Sequence, residues 1–194
     1  IDDPVALTPD PQMRAMVLLG LNCGFGNTDV ATLPQSKVDL ENGWIDFPRP
    51  KTEIHRRCPL WPETVTAIRE AITVRPRPAS SALSDNCFLT RTGQQFVRID
   101  SYSDDEDKVR PINYLSQKFA KVLKALHING RRGLGFYTLR HVFETIGGES
   151  KDQVAVDSIM GHADHSMAGH YRERISDERL QAVADTIHKW LWPV

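Results

Sequence analysis

The stretch GHADHSMAGHY, residues 161–171, carries three histidines, an aspartate and a terminal tyrosine within eleven positions. Three chemistries fit such a set: metal ligation, a polar structural segment, or catalysis by acid–base and nucleophilic groups. His162, His165 and His170 are spaced by three and five, not as a helical three-four pair, and no cysteine joins them. A metal site is therefore not expected, and no cofactor is implied. A second stretch, YTLRHVFET (137–145), sets Arg140 and His141 side by side at a predicted helix start, where backbone N–H groups favour anions. Taken one residue at a time, an Arg-His pair is explained as well by ion pairing or capping, and a tyrosine by half-buried packing. The alternatives stay open at this level.

Charge distribution adds a direction. The formal net charge is -1, which by itself gives no sign of a nucleic-acid partner. Asp100 and the run Asp104, Asp105, Glu106, Asp107 form an acidic block, read as a mobile loop. From Lys108 to His141 there is then no acidic residue, while Lys108, Arg110, Lys118, Lys121, Lys124, Arg131, Arg132 and Arg140 all fall there. Such segregation can put a phosphate-binding face on a neutral protein, and it equally describes a solvated helix beside an acidic loop.

The elements that must position these groups follow from periodicity. Residues 1–10, with Pro4 and Pro9, read as an extended lead-in. Gln12 to about Cys23 reads as a buried helix broken by CGFGN, and Thr28 to Leu33 as a short one. GWIDFPRPKT and HRRCPL read as two short strands around a turn, with prolines limiting their pairing. PETVTAIREAIT (62–73) is a helix by its Pro-Glu start and apolar spacing. CFLTRTGQQFV has the form of a hairpin around Thr92-Gly93. Residues 112–127 form the clearest amphipathic helix, with Lys118, Lys121 and Lys124 off its apolar stripe. Further helices are predicted over 138–147, 151–160 and 177–191. The fold class is mostly helical α+β with a small antiparallel sheet, in one domain across 1–194. The composition (40% hydrophobic, 25% charged) suits an ordinary core. Three widely spaced cysteines, Cys23, Cys58 and Cys87, read as reduced thiols of a cytoplasmic protein. No apolar run is long enough for a membrane span.

The combination is more specific than its parts. Leu139-Arg140-His141 is followed about twenty residues on by Gly161-His162, and Tyr171 lies nine residues after that histidine. This order resembles the catalytic domain of the tyrosine recombinases, the phage integrase family, and the likeness runs from about Thr8 to Ile187. PRPKT and HRRCPL resemble the family's β-hairpin, with Lys51 at its catalytic lysine. The resemblance implies site-specific recombination of duplex DNA by cleavage and rejoining through a 3′-phosphotyrosine. Tyr171 is the nucleophile on this reading, Arg140 and His162 hold the phosphate, Lys51 is the general acid, and His141 orients a neighbour. Arginine's planar fork suits non-bridging oxygens, and storing the bond energy on tyrosine requires neither ATP nor metal. Lys118, Lys121 and Lys124 are the expected DNA-binding cations.

Two departures stand out. In CGFGNTDVATL, Gly26 occupies the place of the family's first arginine, and Tyr137 replaces a histidine three residues before Arg140. Tyrosine can still donate to a phosphate. Loss of an oxyanion donor costs roughly 10²–10³ in rate, so a substitute is looked for in Arg49, Arg131 or Arg132. The alternative is an integrase-derived protein that binds DNA with impaired catalysis. A type IB topoisomerase-like enzyme is disfavoured by the chain's small size. The resemblance further implies an N-terminal core-binding domain outside this chain and a homotetramer on DNA, with a monomer in isolation. It also implies a nucleoid-associated location and a C-terminal helix (177–192) docked either on its own domain or on a neighbouring protomer.

Overall fold

The computed structural model describes residues 10–101, 109–128, 133–163, 167 and 174–193. The expected lead-in, except Asp10, and the acidic block beyond Ser101 lie outside the described residues. Helix α1 (Pro11–Asn22) starts where Pro11 supplies a preset φ and the Asp10 carboxylate accepts from the Gln12 N–H at 3.1 Å. It is buried on nearly every side, through Met13, Ala15, Met16, Leu18, Leu19 and Leu21, and forms the centre of the core. Helices α3 (Pro62–Thr73) and α5 (Thr138–Gly147) pack against it. Between α1 and α3 come the short helix α2 (Asn27–Thr32) and a three-stranded antiparallel sheet, β1 (Val38–Asp39), β2 (Trp44–Asp46) and β3 (Arg57–Pro59). Ile45 pairs with Val38 on one side and Cys58 on the other.

The sheet departs from expectation in two ways. A third strand, β1, joins the expected two, and the PRPKT segment is not a strand. Pro48 and Pro50 have no N–H to give a ladder. After Phe47 N–H donates to Arg56 O (3.2 Å), only Arg49 N–H to Ile54 O (2.9 Å) continues the pairing before the chain turns. The turn expected at Thr92-Gly93 is present, with Gly93 N–H on Thr90 O at 2.8 Å. Its flanks do not pair as strands, because Cys87 N–H is taken by Leu33 O and Leu89 N–H by Gln12 Oε1, which sinks this stretch into the core. The second sheet is instead β4 (Val97–Ser101) against β5 (Val109–Asn113), with Val97 opposite Asn113.

Helix α4 (Tyr114–Ala125) follows, capped by Asn113, whose side chain accepts from Ser116 N–H. Helix α6 (Gln153–Met160) is capped by Asp152, and the last described helix, α7 (Asp177–Leu191), buries Leu180, Val183, Ala184 and Ile187. In this single chain α7 lies against α5, α6 and β3, and Trp61 Nε1–H donates to its Ala184 carbonyl at 3.0 Å. No helix among the described residues is long and apolar enough to cross a membrane.

Candidate active site

The site begins with a helix end. Helix α6 stops at Gly161, which takes φ +66°, and the Gly161 and His162 N–H groups turn back onto Ser158 O (3.2 Å) and Asp157 O (2.9 Å). This is the two-bond glycine stop of a Schellman motif. It reverses the chain so that His162 lies back along α6, with Nδ1 3.1 Å from Asp157 Oδ1. The sequence pair Gly-His is thus a stop signal and a placed imidazole in one unit.

Arg140 approaches from α5. Its residue is 2% exposed, yet its guanidinium bonds no carboxylate among the described residues. Nη1 donates to Gly24 O at 2.6 Å, and Nη2 donates to Met160 O at 2.9 Å while lying 3.0 Å from His162 Nε2. Gly24 also has positive φ, and a Cβ there would come 2.9 Å from the Phe143 ring. With Arg140 donating to Nε2, the imidazole proton belongs on Nδ1, directed at Asp157. Burial pushes the Arg140 guanidinium's pKa down, and the positive charge of Arg49 adds to that shift.

Arg49 reaches the same corner from the hairpin, with Nη1 3.4 Å from Gly161 O. Lys51, two residues on, stands exposed at the turn between β2 and β3, and no hydrogen bond joins it to Arg140 or His162 among the described residues. Tyr137 precedes α5, is 48% exposed, and meets His141 edge-on with ring centroids 5.2 Å apart. Its ring lies beside Gly26: a Cβ at position 26 would fall 3.3 Å from Tyr137 Cε2. The Gly26 backbone is extended at φ -88°, so the limit on a side chain there is space, set by Tyr137 and by Asp29 Oδ2, which is also 3.3 Å away.

Sequence reasoning missed a buried layer beneath these groups. Asp29 accepts from Gly26 N–H at 2.7 Å and from Arg56 Nη2 at 3.0 Å. Arg56 lies over the Phe25 ring at 4.1 Å and donates Nε–H to Phe47 O at 2.8 Å. The signal for Asp29 was its place three residues after the helix cap, where a carboxylate reaches back to the cap N–H. For Arg56 the signal was alternation: Arg56 and Arg57 are adjacent in an extended segment and must face opposite sides.

The three lysines of α4 are not equivalent. Lys118 is paired with Asp10 and lies 5.5 Å from the Phe96 ring centroid, whereas Lys121 and Lys124 are exposed. Tyr171, His165, His170, Arg131 and Arg132 lie outside the described residues.

Comparison with curated protein sequences gives no match. Three solved structures are similar. The crystal structure of XerA recombinase shares 19% identity over 91% of this chain and 58% of that one, with a TM-score of 0.63. The Tn1549 transposon integrase in complex with transposon right end DNA shares 15% over 91% and 59%, at 0.60. The integrase from mycobacterium phage Brujita shares 16% over 92% and 59%, at 0.54. At these identities the likeness is one of fold, and the chain spans less than two thirds of each of these relatives. The sequence itself also matches: residues 8–178 match the phage integrase family. The recombinase fold and this match across most of the chain agree, and the protein belongs to the phage integrase family.

Proposed function

We propose that this chain is the catalytic domain of a site-specific recombinase that cleaves and rejoins duplex DNA. The observation that carries the reading is Arg140: a buried guanidinium held by two carbonyls and a histidine, with no carboxylate bonded to it among the described residues. A buried guanidinium with no carboxylate bonded to it is a poor structural element and a good anion receptor. A phosphodiester oxygen arriving at Arg140 Nη2 would free His162 Nε2 to carry a proton and donate to the same phosphate. Tyr171 then gives up its hydroxyl proton to solvent as Oη bonds to phosphorus and the P–O5′ bond breaks, and Lys51, on its exposed turn, protonates the departing oxygen. Attack by a 5′-hydroxyl on the phosphotyrosine restores the diester. Tyr137 donates from the position beside Gly26, and His141 steadies its ring. Lys121 and Lys124 add phosphate contacts that make affinity salt-dependent. The N-terminal clamp domain and the homotetramer on DNA belong to the same proposal.

Gly26 favours a second reading, in which the protein binds DNA with impaired catalysis. Covalent trapping separates the two. The protein is incubated with nicked suicide duplexes carrying a randomised core, beside Tyr171→Phe and Gly26→Arg, and denaturing gels report the adduct. The recombinase reading expects an adduct that Tyr171→Phe abolishes. An adduct in Gly26→Arg alone supports the impaired binder, and an adduct that survives Tyr171→Phe removes Tyr171 from its role.

A further inference from the structure

We propose that Arg49 is a second phosphate-binding arginine, acting with Arg140 on the same phosphate and admitted to the pocket by the missing side chain of Gly161. The proposal rests on the recombinase reading and adds a residue to its site. Arg49 Nη1 points at Gly161 O and Arg140 Nη2 at Met160 O, so the two forks meet consecutive carbonyls of one tight turn. A guanidinium has five N–H donors. Among the described residues Arg49 uses one, over 3.4 Å, longer than the roughly 2.7–3.2 Å of a settled N–H···O bond. A dedicated helix cap would be better seated. Arg49 is only partly buried, which leaves its remaining donors open to a ligand.

Charge bears on the same point. Arg49, Arg56 and Arg140 gather about the Gly161 turn. Among the described residues, the carboxylates bonded there are Asp29, taken by Arg56, and Asp157, taken by His162. Arg49 is itself one of the causes that push Arg140's ionisation down. Like charges held this close are unfavourable until an anion sits between them.

The backbone fixes Arg49 where it is. Its N–H donates to Ile54 O at 2.9 Å, and its carbonyl accepts from Thr52 N–H (3.1 Å) and Glu53 N–H (2.7 Å). A Cβ on residue 161 would lie 3.0 Å from Arg49 Cβ and 3.2 Å from Arg49 Cδ. Gly161 therefore ends α6 and also lets the Arg49 stem pass. Position 26, where the second cation was expected, offers only backbone under the Tyr137 ring. The cation comes from the hairpin instead.

The test uses inorganic phosphate as probe, which needs no knowledge of the DNA target. Binding to the chain is followed by ³¹P line broadening at low ionic strength, beside Arg49→Ala, Arg49→Lys, Arg140→Lys and the exposed control Arg91→Ala. Circular dichroism confirms that each is folded. Loss of a charge-assisted fork should weaken binding about tenfold in Arg49→Ala, with Arg49→Lys between it and the parent and Arg91→Ala unchanged. In the trapping assay Arg49→Ala should lower the adduct rate roughly 10²–10³-fold. Parent-like phosphate binding by Arg49→Ala, with a loss in Arg140→Lys, would overturn the role of Arg49 and leave the recombinase reading standing. Parent-like binding in both variants, or no binding by the parent, would overturn both. An equal loss in Arg91→Ala would make the effect one of diffuse charge and overturn the proposal.

Discussion

Arg56 and Arg140 are both almost fully buried, at 1% and 2% exposure, and both donate to a backbone carbonyl, yet their surroundings differ in kind. Arg56 has a carboxylate at 3.0 Å and the Phe25 ring at 4.1 Å. Arg140 has a second carbonyl, an imidazole and the charges of Arg49 and, with less influence, Asp29 nearby. Burial pushes both guanidiniums' pKa values down, but the next largest influence on Arg56 is Asp29, which opposes the shift, whereas on Arg140 it is Arg49, which deepens it. Two arginines of equal burial are thus finished differently. One has a carboxylate bonded to it within the fold, and the other, among the described residues, has none.

If that contrast is right, the largest effects on chemistry come from Arg140. Replacing it with Lys keeps a cation and loses the planar fork, so the adduct rate at saturating DNA should fall by roughly 10²–10³ while the fold persists. Arg140→Ala should cost stability as well, because Gly24 O and Met160 O lose their partner. An Arg140→Lys variant that cleaves at the parent rate would collapse the distinction between the two arginines.

Arg56 should show the reverse pattern. Arg56→Met strands the Asp29 carboxylate in the core, a change that costs about 3–5 kcal/mol in comparable buried pairs. Urea unfolding measures it. Adding Asp29→Asn should restore part of the loss, since the stranded charge is then gone. Adduct formation per folded molecule should stay near the parent's. Unchanged stability with lost cleavage would exchange the roles assigned to the two residues.

Much of this site was legible in the sequence, and the limits have physical causes. Helices with strong local signals appear where periodicity and caps put them: Pro62–Thr73 starts on its Pro-Glu pair, and Thr138–Gly147 carries Arg140 in its first turn. The Gly161-His162 pair was singled out through its resemblance to the family motif, and its structural cause, a glycine stop after an apolar helix, is a local event. The Asp29–Arg56 pair was not, since it joins residues 27 apart through a packing layer that no window spans. The hairpin prediction around Thr92-Gly93 placed the turn and missed the strands, because the core claimed Cys87 to Leu89 before sheet pairing could. Of the substitutes considered for Gly26, only Arg49 falls among the described residues, and its contact with Gly161 is a tertiary one that spacing alone does not encode.

A smaller effect should come from the residue that steadies the imidazole. Asp157 lies 3.1 Å from His162 Nδ1 and makes no hydrogen bond to Arg140. Asp157→Asn, which can present an N–H to Nδ1 and favour the other tautomer, should slow adduct formation by roughly tenfold. That is below the 10²–10⁴ that follows from losing an acid–base group outright. Noncovalent DNA affinity, read by gel shift, should hold. A variant that weakens DNA binding and leaves the cleavage rate intact would place Asp157 in the phosphate contact rather than behind it.

The smallest effect is expected at Arg57, and it is the control that the contrast needs. Arg57 is the next residue after Arg56, at the start of β3, and alternation turns it outward. It meets Asp177 in a two-bond fork, Nε to Oδ1 at 3.2 Å and Nη2 to Oδ2 at 3.1 Å, and lies 4.2 Å from the Trp44 ring centroid. Both partners are partly exposed, so solvent screens the attraction, and pairs of this kind contribute about 1 kcal/mol or less. The fork ties β3 to the first turn of α7, where Asp177 also complements the helix dipole. Arg57→Ala should therefore lower unfolding stability by about 1 kcal/mol or less, with most of that loss disappearing at high salt. Phosphate binding and adduct rate should not move. If Arg57→Ala destabilised the chain as much as Arg56→Met, burial would not be what separates neighbouring arginines on this strand. The lack of a bonded carboxylate at Arg140 would then no longer mark a ligand site.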